Sequence, residues 1–149
     1  MSTASETLHM VVEQTRRYPM RMIYDPGSGT FSESDSRSLC AVRGFTRPYG
    51  WIRESGTPPA PHWDCILMAD GDYELGAVVE IRVIGLFRRG DGDHKYVAVE
   101  TQRPVDDLSE LSEDELDQLH RLYPRAGEGE GWFGRETAHF CMAHHEKAL

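Results

Sequence analysis

"GAVVEIRVIGLFRRGDGDHKYVAVE", residues 76–100, decides how this chain is read. Val79, Ile81 and Val83, with Gly85, alternate onto one face, the period-two pattern of a half-buried strand. "KYVAVE" (95–100) follows as a second strand. Between them "GDGD" (90–93) is turn chemistry, so 76–100 is predicted to be a hairpin. "DCILMA" (64–69) is a short apolar run of the length of a buried strand. "MRMIYDPGSGTFSE" (20–33) reads as strand, turn at Asp25–Gly29, strand. Residues 1–10 read as a frayed start, and "HMVVEQ" (9–14) as a short strand. "SLCAVRGF" (38–45) is a further apolar stretch.

The period changes after residue 105. In "DDLSELSEDELDQLHRLYPR" (106–125), Leu108, Leu111, Leu116, Leu119 and Leu122 recur at helical spacing, Ser112 and Glu115 form a capping-box pair, and Pro124 ends the run. "AGEGEGW" (126–132) is a loop, and "RETAHFCMAHHEKAL" (135–149) a closing helix. Strands first and helices last predict an α+β fold: a small antiparallel sheet or barrel flanked by two C-terminal helices, in one domain spanning 1–149.

Composition bounds the function. The chain has 149 residues, 39% hydrophobic and 28% charged, with a net charge of -9. That balance belongs to a soluble globular domain and disfavours nucleic acid, whose affinity rests on Lys and Arg neutralising phosphates. No apolar run is long enough for a membrane helix and no signal peptide is recognisable, so the expected location is cytoplasmic. Cys40, Cys65 and Cys141 lack zinc-ligand spacing and read as reduced thiols. His139, Cys141, His144 and His145 crowd the C-terminus. His139 and His144 are five apart and do not share a helix face, so a plain helix is expected there.

No phosphate-binding glycine loop is present, since "GDGDHK" lacks the GK[ST] ending and a following helix. The chemistry is spread along the strands. Asp64 begins one. Asp91, Asp93 and Lys95 sit two apart at a hairpin tip, and in extended chain would point to one side. Paired carboxylates there suit a hard cation, and the lysine a phosphate oxygen. Asp-Gly-Asp is equally a turn sequence on propensity alone.

"YGWI" (49–52), then "DCIL" (64–67), then 76–99, resembles the soluble family I inorganic pyrophosphatases in order and spacing. The resemblance covers about residues 11–132, including the acidic helix near Tyr123 and "EGW" at 130–132. It implies a five-stranded, OB-like antiparallel β-barrel, Mg²⁺-dependent hydrolysis of pyrophosphate (Mn²⁺ or another divalent metal as alternatives), and a homo-oligomer. Carried over position by position, it implies Asp64, Asp91 and Asp93 as metal ligands. Arg21, Arg37, Tyr49, Lys95 and Tyr123 would bind the small anionic substrate, and Glu13 is a looser match.

The departures are as informative. Two further loop carboxylates of the family fall on Pro59 and Pro61, and a strand glutamate on Ile23. The position expected to orient the attacking water is therefore empty. His62, Glu54, Asp70 and Asp72 are nearby in sequence. His62 brings a nitrogen ligand or a base, or simply packs on Trp63 or a proline. Asp70-Gly71-Asp72 is most simply a turn. Three functions follow, with Asp64, His62 and Asp93 as catalytic candidates: hydrolysis of pyrophosphate or a related phosphoanhydride with a reduced metal set; another small-molecule reaction with His62 and Asp64 as an acid/base pair; or a non-catalytic anion-binding protein.

Overall fold

A computed structural model describes residues 7–144. Its centre is a closed barrel of five strands: β1 (Leu8–Gln14), β4 (Tyr49–Ile52), β5 (Trp63–Leu67), β7 (Lys95–Glu100) and β6 (Val78–Arg88), with β6 returning to β1. The predicted 76–100 hairpin is β6 and β7. Strand β6 serves two partners. Its first residues close the barrel on β1, pairing Leu8 with Ile81 and Val11 with Val78. After a register shift between Val83 and Gly85, its last residues carry an added strand, β8 (Gly131–Gly134).

Alternation divides the barrel wall. Met10, Val12, Cys65, Leu67, Ile81, Val83, Tyr96 and Ala98 fill the interior. Ile66, Met68, Val97 and Val99 face outward into a second core with Leu119 and Leu122 of helix α2 (Glu113–Leu122). Helix α2 starts on the predicted capping box: Ser112 Oγ accepts from Glu115 N, and the Glu115 carboxylate accepts from Ser112 N. Glu115 is also held bidentately by Arg103 at 2.8 Å. Helix α3 (Arg135–Ala143) packs on β6 and places Ala138 and Cys141 at the interior core.

Strands β2 (Met20–Asp25) and β3 (Thr30–Arg37) form a separate hairpin over the outer wall. Gln14 ties it down, its Nε2 donating to the carbonyls of Tyr18 and Met20 and its Oε1 accepting from Met22 N. The short helix α1 (Leu39–Val42) follows, and the Arg43 side chain donates to the Leu122 carbonyl, joining it to the end of α2. Among the described residues, no helix is long and apolar enough to cross a membrane.

Four expectations are corrected. The barrel is not wholly antiparallel, because β5 and β7 pair in parallel from Asp64↔Lys95 to Leu67↔Ala98. The crossover through β6 returns the chain in the same direction, which local turn signals do not encode. The start is not frayed through residue 10, since β1 begins at Leu8 and is held from both sides. Leu108 lies in a separate 3-10 turn (Leu108–Glu110) rather than in the helix, because Asp107 and Ser112 each cap their own segment. The stretch at 126–132 is not wholly a loop, since β8 begins at Gly131.

Candidate functional site

A cleft of about 1370 Å³ lies between the outer barrel wall, the β2–β3 hairpin, α1 and the loop 57–62. Barrel geometry decides who reaches it. The parallel register sets Asp64 beside Lys95, at the starts of β5 and β7. Two residues on along each strand, Ile66 and Val97 face outward, so Asp64 and Lys95 share that outer face. Both therefore leave the barrel on the cleft side.

Lys95 Nζ donates to Asp64 Oδ2 at 2.6 Å and to Asp93 Oδ1 at 3.2 Å. The lysine is buried, with 6% of its surface exposed. On the other side His62 Nε2 lies 3.1 Å from Asp64 Oδ1, while its Nδ1 lies 2.8 Å from the Ala60 carbonyl. A carboxylate and a carbonyl both only accept. Both ring nitrogens must donate to make the two bonds, so the geometry selects the imidazolium. The hydrogen bond to Asp64 accordingly raises the His62 pKa against the effect of burial. Burial works to raise the Asp64 pKa, but the His62 hydrogen bond and the Lys95 charge hold it below the usual carboxylate range.

Glu13 completes the floor. Val12 opposes Gly50 and Gln14 opposes Tyr49, so Glu13 is the extra residue of a β-bulge. Bulges re-aim side chains next to sites. The Glu13 carboxyl lines the cleft and accepts no hydrogen bond among the described residues. Burial, then the Asp64 charge, pushes its pKa up to about 7. Sequence reasoning carried Glu13 only as a looser match to the family pattern, because an acid at a strand's end has no local signature. A bulge is visible only once the partner strand is in place.

Tyr49 and Tyr123 also line the cleft. Burial, then the Asp64 charge, holds the Tyr49 phenol well above its ordinary range, and burial raises Tyr123, whose ring stacks on Phe87 at 4.9 Å. Both are neutral donors at physiological pH. Burial likewise pushes the Cys40 thiol to about 11, which removes it as a nucleophile. Arg21 is exposed on β2, lines the cleft, and makes no hydrogen bond or ion pair among the described residues.

Other sequence candidates lie elsewhere. Arg37 is exposed at the end of β3, opposite Met20, and is not part of the cleft wall. Asp91 makes the turn, its Oδ1 accepting from Asp93 N at 2.9 Å. Three nearby acids are spent on other partners: Glu54 on His9 at 2.6 Å, Asp70 on Arg47 at 3.0 Å and Asp72 on Arg16 at 2.9 Å. His144 Nδ1 lies 2.8 Å from the Phe140 carbonyl, and His145 falls outside the described residues.

The loop 57–62 owes its path to Gly56. Its φ is +140°, and an added Cβ would stand 2.1 Å from the Pro61 carbonyl oxygen. Gly56→Ala is expected to cost about 2 kcal/mol in urea denaturation. Pushing Pro61 away also moves His62, so the two ring N–H signals of His62 should broaden or vanish in NMR spectra. Retention of both signals at wild-type stability would show that the loop tolerates the side chain.

Magnesium or manganese, which the resemblance implies, needs a converging cage of oxygens. Among the described residues no three His, Cys, Asp or Glu side chains come together in that way. Both Asp64 oxygens already face protein cations, and the loop before it carries prolines at 59 and 61. The residues present do not fit that metal set.

No protein-family model matches the sequence, and no curated protein matches it significantly. Solved structures do. An inorganic pyrophosphatase from Neisseria gonorrhoeae aligns with a TM-score of 0.72 and 21% identity, over 93% of this chain and 88% of that one. One from Ehrlichia chaffeensis gives 0.71 and 17%, over 96% and 95%. One from Thermus thermophilus gives 0.69 and 21%, over 97% and 94%. Over nearly its whole length, the chain has the fold of the inorganic pyrophosphatases.

Proposed function

We propose that this chain is a small-molecule enzyme that uses the pyrophosphatase fold for metal-independent proton transfer on an anionic substrate. The closed triad Lys95–Asp64–His62, facing Glu13, whose carboxyl accepts no hydrogen bond among the described residues, carries the reading. Lys95 and His62 balance Asp64 and Asp93, so the floor is near neutral without any added cation. Arg21, without a hydrogen bond or ion pair among the described residues, then grips the substrate's acid group as a planar fork. Glu13, with a pKa near neutrality, gives or takes the proton. His62 and Lys95 face negative charge that develops on the substrate, and Asp64 fixes both cations in place. Asp93 steadies Lys95, while Tyr49 donates to the Tyr123 oxygen and leaves the Tyr123 hydroxyl as the donor to the bound anion.

A second reading is divalent-metal-dependent hydrolysis of pyrophosphate. It is favoured by Asp64, Asp93, Lys95 and Tyr49 sharing one cleft at positions matching the pyrophosphatase pattern. Phosphate release from pyrophosphate separates the two, measured with Mg²⁺, with Mn²⁺ and in EDTA. The expected result is no metal-stimulated release. In EDTA, pyrophosphate should still raise the Tm, and Arg21→Ala should remove most of that rise. Metal-stimulated release that Asp64→Asn abolishes would establish the second reading instead. A Tm unmoved by phosphate or pyrophosphate would remove the anion site altogether.

A further inference from the structure

We infer that the cleft takes an organic anion with an apolar body, its acid group on Arg21 and its body against Ile23, Leu39, Pro59 and Pro61. This rests on the proposed function and names its substrate class. Three observations carry it. The cavity, at about 1370 Å³, is far larger than pyrophosphate fills and exceeds the roughly 300–1,000 Å³ of ordinary small-molecule sites. At its floor Lys95, His62, Asp64 and Asp93 satisfy one another. Away from the floor the wall carries open apolar surface: Ile23 is 48% exposed and Leu39 42% exposed, both lining the cleft with Met22 and Tyr24.

Exposed β-branched and aliphatic side chains beside a charged floor leave apolar surface in water that a bound apolar group would cover. A bare inorganic anion leaves that surface wet. Prolines 59 and 61 add rigid apolar wall and lose no rotamer freedom on binding. The charges agree. The floor cancels internally, and Asp25, at the hairpin tip, spends its carboxylate on Gly27 N and the Ser28 hydroxyl. Arg21 is left to match one acid group rather than the several charges of pyrophosphate.

The test is calorimetric binding in EDTA of three probes: inorganic phosphate, phenyl phosphate and benzoate. Phenyl phosphate should bind at least tenfold more tightly than phosphate. Ile23→Ser, an exposed position whose replacement should not impair folding, should cut that ratio severalfold while leaving phosphate affinity unchanged. Arg21→Ala should weaken every probe that binds. Benzoate binding on a par with phenyl phosphate identifies a carboxylic acid as an accepted head. Benzoate failing where phenyl phosphate binds identifies a phosphate ester, and both outcomes support an organic anion. Equal affinities for phosphate and phenyl phosphate would overturn the inference while leaving the anion site standing. Failure of all three probes would remove the anion site and this inference together.

Discussion

Replacing Lys95 with methionine is expected to destabilise the protein by about 3 to 5 kcal/mol at pH 7.5. Methionine keeps most of the stem's packing but leaves Asp64 with one cation. The lysine side chain is 8% exposed and the aspartate 16%, so water cannot replace the lost partner. Most of the loss is the cost of an uncompensated buried carboxylate, not the worth of the pair itself. Asp64→Asn in the same background should therefore restore part of the stability.

The pH dependence provides the check. In the wild type, Asp64 is held below its ordinary pKa of 3.8, so its contribution is present above that value and lost as the pH falls through the folded pKa. Without Lys95 the folded pKa rises, and protonation relieves the buried charge. The gap between variant and wild type should be widest near neutrality and close towards pH 4. Urea denaturation across that range measures it. A gap below 1 kcal/mol at pH 7.5 would mean that solvent screens the pair.

Glu13→Gln should act in the opposite direction. Burial raises the Glu13 pKa from 4.5 to about 7, so the folded protein keeps a proton that the unfolded chain has lost between those values. Stability from this group is full below pH 4.5 and is lost as the pH rises through about 7. Glutamine mimics the protonated acid at all pH values. At pH 8 the variant is expected to be more stable than the wild type, by on the order of 3 kcal/mol at most. At pH 4.5 the two should coincide. His62, also raised, adds a loss of the same sign above pH 6.5; the Glu13 charge is the smallest of its causes, so most of that loss is common to both proteins. A variant less stable than wild type at pH 8 would show that ionised Glu13 has a partner in solution.

These effects arise at contacts of very different legibility. The hairpin β6–β7 was readable because alternation and Gly-Asp turn chemistry are local. The capping box at Ser112 and Glu115 was readable for the same reason, since both bonds close within three residues. Asp64, Asp93 and Lys95 could be selected as chemistry by type and by position in a known pattern. Their contacts could not be read. Lys95 reaches Asp64 across 31 residues, in a parallel pairing that no turn signal announces. Asp91 and Asp93 share one sequence motif, yet one closes the turn and the other meets Lys95. Arg37 was placed at the site by pattern, but the end of β3 leaves it outside the cleft wall.

The sequence by itself determined most strands, the capped helix, the sheet or barrel expected from their order, and side chains without carboxylates at Ile23, Pro59 and Pro61, where the resemblance implies acids. Each follows from periodicity, capping or residue identity, which act within a few positions along the chain. Tertiary structure alone decided what the remaining charges do. Strand register set Lys95 against Asp64, the loop folded His62 back onto the same carboxylate, and a bulge turned Glu13 towards them. Charge pairing depends on distance and desolvation, and both are properties of the packed barrel rather than of any one segment.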